Sequence, residues 1–126
     1  VKFLGKTSVF VHTEGLGRRP YQGRVAILVN RHTTGAAEMV AQFAQENRLA
    51  IIIGEKTPGR LVTRSAFKLG SGYRLVIPIA AYVSAKNIRI EGVGITPDVP
   101  AAWDFRSAAS GEDNQLRSAA GQLANS

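Results

Sequence analysis

Apolar and polar positions divide the chain into a strand, a helix and a second strand, followed by a set of alternating segments. Arg24-Val25-Ala26-Ile27-Leu28-Val29 is a continuous apolar run behind an arginine. Its lack of alternation predicts a strand covered on both faces, as in an α/β sheet. From Gly35 to Asn47 the apolar positions Ala36, Met39, Val40, Phe43 and Ala44 recur at helical spacing and predict one apolar helix face. Thr34 or Gly35 is the expected N-cap, and Glu38 suits the positive end of the helix dipole. Ala50-Ile51-Ile52-Ile53 then predicts a second buried strand, parallel to the first, which completes a βαβ crossover.

Alternation takes over downstream. Between Arg60 and Leu69, residues two or four apart share a strand face, so Arg60, Arg64 and Lys68 are expected to form a basic row. Gly70-Ser71-Gly72 predicts a hairpin turn, with a returning strand from Tyr73 to Ile79 and extended chain through Val83. Ile88 to Glu91 reads as a half-exposed strand, and Gly92 to Val99 as a loop of permissive residues. Before the main unit, Val1 to Leu16 predicts an entering strand centred on Ser8 to Val11, with a turn-rich approach from Gly17 to Gly23. After Ala101 the composition shifts to Ala, Ser, Asn and Gln. Asp104 to Gly111 is expected to be a linker, and Asp113 caps a short helix from Asn114 to Leu123.

The run VAILVNRHTTGAAEMVAQFAQENRLAIIIGEKTPGR, with GYRLVIPIAAYV and EGVGITPDV, resembles the C-terminal processing, or tail-specific, serine peptidases. The resemblance spans about Tyr21 to Val99. It implies a partial peptidase core of the crotonase and Clp-protease kind over residues 1–103, with 104–126 as linker and helix. It places the family's serine nucleophile at Gly35 and its lysine general base at Arg60. A glutamine that orients the lysine in some members falls at Arg64, and Glu38 matches the family's own glutamate. Relative to the family, the first half of the core and a peptide-binding module are absent from these residues. This points to the second half of a larger protein or to a relative that has lost the rest.

The exchanges at the two reacting positions change the chemistry. Glycine has no side chain to acylate, and arginine stays protonated and cannot serve as a neutral base. The family's Ser-Lys mechanism therefore has no route through Gly35 and Arg60. One reading is a peptidase whose activity is lost or rearranged, with Thr33 or Thr34 as a migrated nucleophile and His32 as its base. The other is a non-catalytic module that binds peptide termini or other carboxylates. In that reading the free N–H groups of Ala36 and Ala37, beside Thr34, receive the anion, and Arg60 and Arg64 clamp it. Whether Arg60 instead pairs with Glu38 is left open at this level.

Charge and composition narrow the classes further. Net charge is +7 over 126 residues, but the basic residues are dispersed and no aromatic residues interleave a basic cluster. Nucleic-acid binding is therefore not expected. No apolar run approaches a membrane-spanning length. With no cysteine there is no disulfide or thiolate metal site, and His12 and His32 have no acidic neighbours at metal-ligand spacing. Neither a metal nor a cofactor is expected. Gly54 to Arg60 is not a phosphate-binding loop, because Arg60 and Leu61 replace its lysine and hydroxyl residue and a strand follows instead of a helix. Asp98 in Thr96-Pro97-Asp98 is expected to fix a turn through local backbone bonds. The expected partners are peptide or protein C-termini, homo-oligomerisation is compatible with the reading, and the family implies a periplasmic or secreted bacterial location.

Overall fold

The computed structural model describes the backbone of Lys2–Leu4 and Val9–Phe10 and all of residues 21–124. His12, the Gly15–Gly17 stop and most of the entering strand and turn-rich approach lie outside the described residues. The elements in order are β1 (Lys2–Leu4), β2 (Val9–Phe10), β3 (Ala26–Val29), α1 (Ala36–Glu46), β4 (Ile51–Gly54), β5 (Val62–Gly70), β6 (Tyr73–Val83), β7 (Val99–Pro100), α2 (Phe105–Ala109) and α3 (Asn114–Ala124).

The fold is mixed α/β, with two sheets. β3, β4 and β7 form a parallel sheet in that order, with Ala26 opposite Ile51 and Ile53 opposite Val99. The expected βαβ unit is thus present, and β7 adds the third strand. The other sheet is antiparallel in the order β2-β1-β6-β5. Here β1 lies against the end of β6, with Lys2 opposite Val83 and Leu4 opposite Ala81.

Helix α1 differs from its expected orientation. Ala41 and Ala44 join Val29, Ile52 and Ile95 in the main core, while Val40 and Phe43 are 57% and 53% exposed. The buried stripe instead runs through Glu38, Ala41, Gln42 and Ala44. Two alanines let the helix axis approach β4 closely, and Glu38 is anchored by polar bonds that override the apolar pattern. On the β strands, Ile52 faces α1, so alternation turns its fully buried neighbour Ile53 to the opposite face. Helix α3 packs on β3 and β4 and presents the buried Ala119. Leu28, by contrast, remains 39% exposed, so the cover over β3 is less complete than its apolar sequence implied.

The segment expected as a strand from Ile88 to Glu91 contributes one isolated bridge, Arg89 to Val83. Its chain is diverted because the N–H groups of Val93 and Gly94 both bond to the Ile90 carbonyl, forming a tight turn around the fully buried Ile90. Asp98 also acts differently from expectation. It bridges elements, accepting from the Ile52 N–H at 2.8 Å and from Gln45 Nε2 at 2.8 Å. At the C-terminal end α2 occupies part of the stretch that read as linker, and Asp104 caps it by accepting from the Arg106 N–H at 3.0 Å.

Candidate active site

The site is built where the C-terminal end of β3 turns into α1. Asn30 closes the turn: its carbonyl accepts from the Thr33 N–H at 3.0 Å, and its side-chain oxygen accepts from the His32 N–H at 2.8 Å. The Thr33 hydroxyl in return accepts from the Asn30 N–H at 3.0 Å. This is the self-bonding turn chemistry of Asn and Thr. It delivers the chain to Gly35, which adopts φ 65° and ψ −128°. That conformation is one L-residues rarely occupy, and a Cβ added there would have no atom within 4 Å.

Glu38, one turn into α1, is fully buried and ties the Gly35 turn to the Thr57–Arg60 loop through four donors. Its Oε1 accepts from the Thr57 hydroxyl at 2.5 Å and from the Gly59 N–H at 2.7 Å. Its Oε2 accepts from the Arg60 N–H at 2.9 Å and from the Gly35 N–H at 3.2 Å. No cation is needed: four donors and the helix N-terminus answer the buried carboxylate. The Gly35 N–H also bonds to the Arg60 carbonyl at 3.1 Å, so the two positions are adjacent through their backbones.

The loop that carries Arg60 is held from the other side by the Gly92–Gly94 turn. Thr57 Oγ1 accepts from the Ile95 N–H at 2.8 Å, and the Gly59 carbonyl accepts from the Gly92 N–H at 2.8 Å. The two loops approach so closely that a Cβ on Gly59 would lie 2.4 Å from the Gly94 nitrogen. One on Gly94 would meet the Thr57 carbonyl oxygen at 1.9 Å. These spacings explain why glycine stands at residues 59 and 94.

The proposed site residues are brought together unevenly. Gly35, Glu38 and Arg60 meet directly. Thr34, Ala36 and Ala37 are exposed at the helix start, and Arg60 and Arg64 are both exposed. The alternative in which the Arg60 guanidinium pairs with Glu38 is corrected: Glu38 takes the backbone N–H of Arg60, and the sole ion pair among the described residues is Arg117 to Glu112. The expected basic row also changes, because Arg60 precedes β5, where the Leu61 N–H bonds to Glu91 Oε2 at 2.5 Å. Arg64 and Lys68 remain in the strand. His32 does not engage a threonine: Arg31 Nε donates to its Nε2 at 3.3 Å.

Two contributors escaped the sequence reading. Thr57 was visible in the G-E-x-T-x-G motif, but only the structure shows its hydroxyl linking Glu38 to Ile95. Glu55, in the same motif, accepts from the Trp103 N–H at 3.0 Å. That bond holds its carboxyl below the usual carboxylate range against the opposing effect of desolvation, with smaller help from the Arg31 backbone N–H and the charges of Arg31 and His32. No group of His, Cys, Asp and Glu among the described residues could hold a metal ion.

The glycine turn that opens α1, the buried glutamate beneath it and the G-E-x-T-x-G loop across from it join the motifs that carried the family resemblance. The family model described as Peptidase family S41 matches residues 4–101. The chain belongs to this family. Among its relatives, the chloroplastic carboxyl-terminal-processing peptidase 2 of Arabidopsis thaliana is 36% identical over 81 residues, covering 64% of this chain and 16% of that protein. The carboxyl-terminal-processing protease of Picosynechococcus sp. is 30% identical over 95 residues, covering 75% of this chain and 23% of that protein. This S41 chain therefore spans a quarter or less of those relatives. Among solved structures, a photosystem II D1 C-terminal processing protease superposes with TM-score 0.58 at 28% identity, over 63% of this chain and 20% of that one. Tricorn protease superposes with TM-score 0.73 at 22% identity, over 86% of this chain and 12% of that one, which shows the shared fold.

Proposed function

We propose that this S41 chain carries the peptide-binding half of a proteolytic site whose Ser-Lys chemistry is lost, and that it binds the C-termini of peptides or proteins. The observation that carries this reading is the backbone frame around Glu38, whose Oε2 accepts from the N–H groups of both Gly35 and Arg60; glycine and arginine at these positions offer neither a side chain to acylate nor a neutral base. The exposed first turn of α1 offers the N–H groups of Ala36 and Ala37 to a carboxylate. Arg60 leaves Gly59 with its guanidinium exposed and unengaged by Glu38, and Arg64 follows on β5. A forked guanidinium suits a terminal carboxylate.

Hydrolysis through a migrated threonine has less support. The Thr33 hydroxyl is an acceptor within its own turn, and His32 is turned to Arg31. Proteolysis is the activity of the family. Residues 1–103 are proposed as its partial core and 104–126 as an appended segment. A periplasmic or secreted location and a homo-oligomeric state are part of the same proposal, drawn from the family resemblance; among the described residues no helix is long and apolar enough to cross a membrane. The test is binding of a labelled peptide with a free C-terminal carboxylate against its amidated twin, combined with a cleavage assay. Preference for the free acid, lost in Arg60→Ala, with no cleavage, supports the reading. Cleavage abolished by Thr33→Ala or Thr34→Ala overturns it.

A further inference from the structure

The β5–β6 hairpin ends the antiparallel sheet, and β5 has no further strand beside it among the described residues. Its register identifies which backbone groups are open. Arg64 lies opposite Pro78, Ser65 opposite Ile77, Ala66 opposite Val76, Phe67 opposite Leu75 and Lys68 opposite Arg74. Pro78 has no N–H, so the Arg64–Pro78 pair cannot be one in which both residues exchange hydrogen bonds. Antiparallel pairs alternate between bonded and non-bonded types. The pairs at Ser65 and Phe67 are therefore the bonded ones, and Arg64, Ala66 and Lys68 direct their N–H and C=O groups outward along the free edge.

The side chains of the same three residues share one face, with Arg64 and Lys68 flanking the small Ala66 and Arg74 behind them across the ladder. All four are exposed. The other face presents Phe67, Leu75 and Ile77, exposed by 46%, 45% and 39%. The edge is thus cationic on one side and apolar on the other, and among the described residues no strand pairs with its outward backbone groups. Self-pairing is opposed: an antiparallel copy centred on Ala66 would set Arg64 directly against Lys68, a like-charge cross-strand pair.

We propose that the β5 edge takes an extended acidic peptide as an added strand, in the sequence pattern acidic-apolar-small-apolar-acidic. A residue directly opposite Arg64, Ala66 or Lys68 would exchange backbone bonds with it and share its face. Acidic residues four apart then meet Arg64 and Lys68, and the intervening apolar residues lie on the side of Phe67. The inference rests on β5 alone and does not require a carboxylate cradle at Gly35.

The probe is a fluorescent peptide containing Glu-Val-Thr-Val-Glu, acetylated and amidated so that it has no terminal charge, tested against a scramble of equal composition. Anisotropy should show the patterned peptide binding about tenfold more tightly than the scramble, the scale of two opposite-charge cross-strand pairs. Hydrogen exchange should slow at the amides of Arg64, Ala66 and Lys68 on binding and stay unchanged at Ser65 and Phe67. Ala66→Pro removes one outward N–H without touching the ladder to β6, and should abolish binding. Should that variant fail to fold, Arg64→Glu with Lys68→Glu, which should reject this peptide and accept its Lys-Val-Thr-Val-Lys counterpart, gives the same test. Equal binding of the scramble, protection outside the three amides, or no charge exchange in the double variant would overturn the proposal. Loss of the free-acid preference in Arg60→Ala, with binding of the amidated peptide retained, would separate this edge from the Gly35 site.

Discussion

Glu38 holds Arg60 by its backbone: Oε2 accepts the Arg60 N–H at 2.9 Å, and the guanidinium takes no part. The glutamate therefore anchors the loop whatever side chain stands at residue 60. It follows that the two residues differ sharply in their effect on stability. Arg60→Ala should change unfolding free energy by no more than about 0.5 kcal/mol, as an exposed substitution does. Glu38→Gln points an amide at donors and should cost about 2–4 kcal/mol. Urea denaturation of both variants measures the contrast.

Gly35→Ser tests the turn itself. Space for the side chain is open, so the cost is conformational, about 1–3 kcal/mol for a non-glycine residue at φ 65° and ψ −128°. The single variant should show no hydrolysis, since Arg60 cannot take the serine proton. Gly35→Ser with Arg60→Lys supplies both a hydroxyl and a titratable amine, and under the proposed reading it is the variant in which peptide cleavage should appear. Thermal unfolding and a peptide-cleavage assay report the two effects, and cleavage by the single variant would reveal another base.

Loop contact can be probed at two glycines of similar φ. Gly59 and Gly111 have φ 71° and 82°, but only Gly59 has backbone atoms within 3 Å of a built Cβ. Gly59→Ala should cost about 3 kcal/mol or more, combining clash and strain, whereas Gly111→Ala should cost about 1 kcal/mol. Chemical denaturation of the pair separates packing from backbone preference.

Acid stability should carry a signature of Glu55. Its folded pKa is lowered, chiefly by the Trp103 N–H. The unfolded chain therefore binds its proton more readily, and the stabilisation is present above the ordinary glutamate pKa of about 4.3. It is lost as pH falls through the lower folded value. Glu55→Gln should flatten the acid limb of stability against pH in that window and leave neutral-pH titration behaviour unchanged, as read from denaturation midpoints across pH 2–7.

Local pattern and motif spacing made the βαβ unit, the β5–β6 hairpin, the helix near the C-terminus and the Gly35–Glu38–Arg60 frame legible. The elements depend on conformations set within a short stretch of chain, and the frame on motifs that can be read locally although its bonds join α1 to the loop after β4. The exposed Val40 and Phe43 on α1 were misplaced because periodicity locates an apolar stripe but cannot weigh it against a buried carboxylate with four donors. The strand expected at Ile88 to Glu91 failed for a related reason, since glycine turns and the Leu61–Glu91 bond redirected it.

Residue identity and local spacing alone made the family and the α/β class readable along the chain, together with the glycine at residue 35 and the arginine at residue 60. Long-range packing settles which atom of Arg60 meets Glu38, which face of α1 is buried, and which backbone groups of β5 point away from β6. Those depend on hydrogen bonds and close contacts between residues distant in the chain, whose geometry no local pattern records.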